Sequence, residues 1–176
     1  MGAGPATLVE RKHQHMQVDI DGACRIARLA TELDWTWYYD TDIPQLCRTT
    51  GWEITRSEED HAEIRTDLRT QRPEADVSKQ KHIVRYVTIL VTDVLDQDLP
   101  WDEVHRQMVD AFADLSAGLM EVLGDPVLRK PGIDSQMGWD GQNVTINLIA
   151  APRSIDLSLH SPEYQATLSD HASREF

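Results

Sequence analysis

The segment from Pro100 to Leu123 constrains this chain more than any other. Val104, Met108, Phe112, Leu115, Leu119 and Val122 are spaced 4, 4, 3, 4 and 3, a recurrence that lines apolar side chains along one face of an α-helix. Pro100 suits the first turn, Gly124 suits the position just past the end, and Pro126 blocks continuation. Such a stripe must be buried against another element, so the rest of the chain has to supply a broad apolar surface.

Period-2 patterns provide it. His82 to Val94 is β-branched and apolar on both faces and predicts a central strand. Trp52, Ile54 and Arg56 alternate with Glu53 and Thr55, and a weaker alternation runs from Ala62 to Leu68. After the long helix, Met137 and Trp139 lead into Asp140-Gly141, a two-residue hairpin signal. Val144, Ile146 and Leu148 then alternate with polar residues, and so do Ile155, Leu157 and Leu159 beyond a turn at Pro152-Arg153. One apolar and one polar face marks an antiparallel sheet with one side wet. The polar stretch from Arg69 to Lys81, with Pro73, reads as a mobile loop. The tail from Pro162 gives no clear pattern.

Two shorter helices precede the strands. Ala23, Ile26, Ala27, Ala30 and Leu33 recur at helical spacing behind Asp21, a candidate N-cap. Asp42 caps a second helix that carries Pro44 in its first turn and stops at Gly51. The expected fold class is therefore α+β: an antiparallel sheet of about five to six strands, packed by an N-terminal helical segment and one long helix. At 176 residues the chain supports one good core. We expect a single domain over residues 21–176 and a flexible extension over 1–20, where no clean periodicity is found and Met16 is a second candidate start.

No apolar run approaches the roughly 20 residues of a membrane-spanning helix, and no apolar core follows the basic and histidine residues near the start, as a signal peptide requires. This predicts a cytoplasmic protein. Cys24 and Cys47 fall on apolar sides of helices and read as small hydrophobes, with neither a C-x-x-C spacing nor a disulfide framework.

Chemistry is hard to find. The chain has no G-x-G-x-x-G, G-x-x-x-x-G-K, G-x-S-x-G or H-E-x-x-H. Its histidines are dispersed, and Glu58-Glu59-Asp60 reads as a solvated turn between strands. Asp96 and Asp98 lack EF-hand spacing and suit the start of the long helix, where the dipole favours negative charge. We therefore expect a binding protein rather than an enzyme, with no catalytic residue, cofactor or metal ligand to assign. An enzyme built on scattered carboxylates is a third reading, which needs a pocket that gathers them.

The net charge of −13 argues against nucleic acid and anionic membranes as partners and permits a basic protein. Between Asp93 and Asp125 stand nine acids and one base, Arg106, a net −8. Glu103, Asp110, Asp114 and Glu121 follow one stripe of the long helix, away from its apolar face, with few of the i+4 bases that a helix stabilised for itself would carry. A solvated face explains the stripe; so does a docking face. Among the aromatics, Trp35 and Trp37 are two apart, so in an extended segment only one faces the core. Trp37 or Tyr38 is then a candidate exposed anchor. The candidate partner-binding set is Glu103, Asp110, Asp114, Glu121, Trp37 and Tyr38.

The run Leu33-Asp34-Trp35-Thr36-Trp37, then Asp42-Ile43-Pro44 and Gly51-Trp52, resembles the start of an uncharacterised bacterial, actinobacterial-type family of small acidic proteins. Val91-Thr92-Asp93, Leu123-Gly124-Asp125-Pro126 and Gly138-Trp139 continue the likeness, over about residues 22 to 160. Proteins of this kind are similar to immunity proteins encoded beside polymorphic toxins. The resemblance implies a protein that binds and neutralises a cognate toxin, with a basic secreted toxin domain as partner. The alternative is a secretion-chaperone-like adaptor holding a client segment. Monomer and homodimer both stay open.

Overall fold

In the computed structural model the structure describes residues 14–174. Two four-stranded antiparallel meanders join side by side into one sheet. The first comprises β1 (Glu53–Ser57), β2 (His61–Arg65), β3 (Glu74–Gln80) and β4 (Ile83–Leu90). The second comprises β5 (Leu128–Lys130), β6 (Gln136–Gly141), β7 (Val144–Ala150) and β8 (Ile155–His160). The spatial order is β1-β2-β3-β4-β8-β7-β6-β5, with every neighbouring pair antiparallel. The expected α+β class holds, but the described residues form eight strands rather than five to six. The expected central strand is β4, which seams the two halves through β8.

Four helices accompany the sheet: α1 (Ile20–Glu32), α2 (Tyr39–Thr50), α3 (Trp101–Leu123) and α4 (Pro162–Arg174). α3 follows its sequence pattern, burying Val104, Met108, Ala111, Leu115 and Leu119 against α1 and β7. On the sheet, Val87, Ile89, Leu157, Leu159, Ile146, Leu148, Met137 and Trp139 share the core face by register, and all are buried. α1 meets α3 closely at Gly118, where an added Cβ would lie 2.8 Å from Ile20 Cγ2 and 3.2 Å from Cys24 Sγ. We expect Gly118→Val to overpack this crossing and cost about 1–3 kcal/mol, read by urea denaturation; a neutral result would mean that α1 yields freely.

Several expectations are corrected. Order begins before residue 20: Met16 is buried, its N–H donates to Gln107 Oε1 at 2.7 Å, and Gln14 Nε2 donates to Val94 O. The part of the expected extension over residues 1–13 lies outside the described residues. The expected loop at 69–81 is in fact half strand. Ala75 and Val77 turn to the core in β3, and β2 and β4 satisfy its backbone on both sides. The α1 cap is Asp19, which accepts from Gly22 N, rather than Asp21. The β6–β7 hairpin turns at Gln142-Asn143, because Gly141 still pairs with Val144, and Asn143 takes the positive φ.

Candidate functional site

Two surfaces concentrate charge or perturbed titration, and they lie on opposite faces of the sheet. The first is the acidic side of α3. Asp110, Asp114 and Glu121 are exposed there, and Asp110 and Asp114 line a cleft of about 590 Å³ between α3 and residues 15–20. Arg106 reaches Glu103 at 2.6 Å and Asp110 at 3.9 Å, and Gln107 Nε2 also donates to Glu103 at 2.9 Å. Glu103 is thus built into local bonding. Asp114 and Glu121 make no ion pair among the described residues. The helix start has no side-chain cap; Asp102 and Glu103 supply its first-turn charge, in place of the expected Asp96 and Asp98.

Not every acid of the Asp93–Asp125 run belongs to this face. Asp93 is fully buried, and its carboxylate accepts from Gln17 N and Gln71 N at 2.9 and 2.8 Å, tying the N-terminal segment to the β2–β3 connection.

The aromatic pair is corrected too. Trp35 and Trp37 are both buried, stacked with ring centroids 4.5 Å apart. Trp37 has φ +61°, which abolishes the alternation assumed for an extended segment and turns its ring back beside Trp35. Its indole N–H donates to Asn143 O at 3.0 Å, while Asn143 Nδ2 donates to Trp35 O. Trp37 is therefore a structural residue rather than an exposed anchor. Asp42 directs this geometry: it lies inside α2, not at its cap, and accepts from Thr36 N, Thr36 Oγ1 and Trp37 N. Tyr38 is 55 % exposed. It bridges to Ile83 at the start of β4, and no hydrogen bond or ring contact joins it to α3. The structure thus brings Asp110 and Asp114 together, and leaves Tyr38 on a separate patch.

The second surface is the sheet face that the sequence predicts to be wet. Rows across it read Asp76, Thr88, Ser158, Asn147 and, one pair along, Asp156 beside Leu90 and Ile149. Asp156 stands between two aliphatic neighbours, and that burial, with the charge of Asp76, raises its pKa to about 6. Asp76 is itself pushed up by burial and by Glu63 and Glu74. Next to them α4 covers His160, with Tyr164 against the His160 and Tyr86 rings at 5.1 and 4.9 Å. His160 Nε2 lies 2.8 Å from Ser158 Oγ and Nδ1 lies 2.8 Å from Gln165 Oε1. Burial holds its pKa below the usual histidine range. The polar alternation was visible in the sequence; the covering helix that dries it was not.

At the β1–β2 turn, Glu58, Asp60 and His61 bring ligand-type atoms within 4.8 Å of one another. Arg56 already occupies the Glu58 carboxylate, and His61 hydrogen-bonds Asp60, so the trio serves the turn. Both cysteines are free and half-buried, and burial raises their pKa values, which disfavours the thiolate. No described helix is long and apolar enough to cross a membrane.

Together these features define an α+β protein with one open antiparallel sheet, an acidic helical flank and a partly dried polar face. The chain belongs to the DUF6301 family, a family of unknown function, whose model matches residues 21–161. No curated protein and no solved structure matches it.

Proposed function

We propose that this chain is a non-catalytic protein-binding module of the immunity type, which binds a basic secreted toxin domain in the cytoplasm and neutralises it. The observation that carries this reading is the exposed pairing of Asp110 and Asp114 on the rim of the α3 cleft, with Arg106, against Asp110, as the one base within ion-pair reach among the described residues. An excess of like charge on a rigid helix attracts a cationic surface over long range and raises its association rate. Glu121 extends the same face, Glu103 shapes it through Arg106, and Tyr38 offers a second, separate contact.

Capture from native lysate identifies the partner. Against that partner, Asp110→Lys with Asp114→Lys should slow association about tenfold or more at low salt, with little change in dissociation. Surface plasmon resonance at two ionic strengths reads both constants. An unchanged association rate would remove the stripe from the interface. One observation favours the adaptor reading as well: an apolar groove on the outer side of α3, away from the acids.

A further inference from the structure

α3 carries a second stripe away from the acids. Trp101, His105 and Val109 are exposed at spacings of 4, with Val109 52 % exposed, and Phe112, three residues on, is half-buried against the core. With Pro131, Ile133 and Met137 opposite, Val109 and Phe112 wall an open groove of about 670 Å³. Ile133 is 67 % exposed. These apolar side chains share one groove rather than standing scattered over the surface. One further observation describes what it would take. Arg129 and Lys130 also line it, and neither has a carboxylate within ion-pair reach among the described residues; Arg129, opposite Met137, reaches Met120 Sδ on the α3 side at 3.8 Å, and Lys130, opposite Gln136, stands on the other face of β5.

β5, which supplies those two cations, is the last strand of the sheet and pairs only with β6. Among the described residues its outer edge is an open template for another strand. A second copy of this chain is the wrong occupant: full two-fold pairing of β5 with itself would set Arg129 against Arg129, and like charges directly opposite destabilise.

We propose that this groove binds an extended segment of a partner protein, apolar on alternate residues and acidic between them, added to the β5 edge. Its apolar side chains pack on Val109, Phe112 and Ile133, and the acidic residues between them, which alternation turns to the other face of the added strand, meet Lys130. The inference rests on the adaptor reading and names the chemistry of the client.

Fluorescence anisotropy with two labelled peptides tests it, one of alternating Leu and Glu and one of alternating Leu and Ser. The Leu-Glu peptide should bind about tenfold tighter despite the protein's net negative charge, and Lys130→Glu should erase that preference. Val109→Asp, an exposed position that leaves the fold intact, should abolish binding of both. Equal binding of the two peptides, lost in Val109→Asp, overturns the acidic occupant and leaves the adaptor reading standing. No binding by either peptide, or binding indifferent to Val109→Asp, overturns both. Saturation of the groove by dodecanoate with no peptide bound would make the ligand a small amphiphile and overturns the proposal.

Discussion

Asp42→Ala is expected to destabilise the fold by about 3 kcal/mol, as the loss of several charge-assisted bonds to a buried carboxylate does. Asp42 is 3 % exposed, and its oxygens accept from Thr36 N at 3.1 Å, Thr36 Oγ1 at 2.7 Å and Trp37 N at 2.6 Å. With alanine in its place, the Trp37 N–H stays in the interior with no acceptor. The left-handed backbone at Trp37, unfavourable for a residue with a Cβ, also loses its restraint. Trp35 and Trp37 then unstack, and the β6–β7 hairpin loses its anchor, since Asn143 bonds both. Asp42→Asn keeps an acceptor oxygen and should lose about half as much. Urea denaturation followed by tryptophan fluorescence measures both variants. A loss below about 1 kcal/mol for the alanine variant would show that the loop holds without its carboxylate.

Asp156→Asn should do the opposite and stabilise the protein at neutral pH, by about 2–3 kcal/mol. The folded-state pKa of about 6 lies above the ordinary 3.8, so the folded protein holds this proton more tightly than the unfolded chain does. The contribution is fully present below the ordinary value and lost as pH rises through 6. At pH 7 the wild-type protein therefore carries a partly buried, poorly compensated charge, which asparagine removes at nearly constant volume. His160 works with reversed sign: its depressed pKa adds stability above the usual histidine range, lost as pH falls and the unfolded chain takes up the proton. The two partly cancel in the wild type. The variant should therefore lose stability more steeply between about pH 7 and pH 4 than the wild type does. Parallel pH profiles for the two proteins would mean that water reaches Asp156 and that its titration is ordinary.

The acidic stripe was legible because it is a local property. Helical spacing alone places Asp110, Asp114 and Glu121 together, and α3 forms where its stripe of Val104, Met108, Leu115 and Leu119 says it should. The Gly51 C-cap, at φ +79°, and the core positions of β7 and β8 follow from the same local logic. The β5 groove was not legible. β5 has three exposed residues and no period to read, and its partners come from α3 and β6.

Periodicity along the chain therefore determined which residues face inward within α1, α3, β4, β7 and β8. Tertiary structure alone decided what lies across from them. β3 is a strand because β2 and β4 satisfy its backbone, although Glu74, Asp76 and Lys79 make it read as a loop. Trp37 is buried because a distant hairpin and Asp42 hold it in a backbone region that no spacing rule anticipates. Asp156 and His160 sit on a face that the alternation calls wet, and their proton affinities shift because Leu90, Ile149 and α4 arrive from elsewhere to exclude water. Side-chain direction within a single element is set by backbone geometry, which the sequence encodes locally; burial is set by neighbours that only the folded chain brings together.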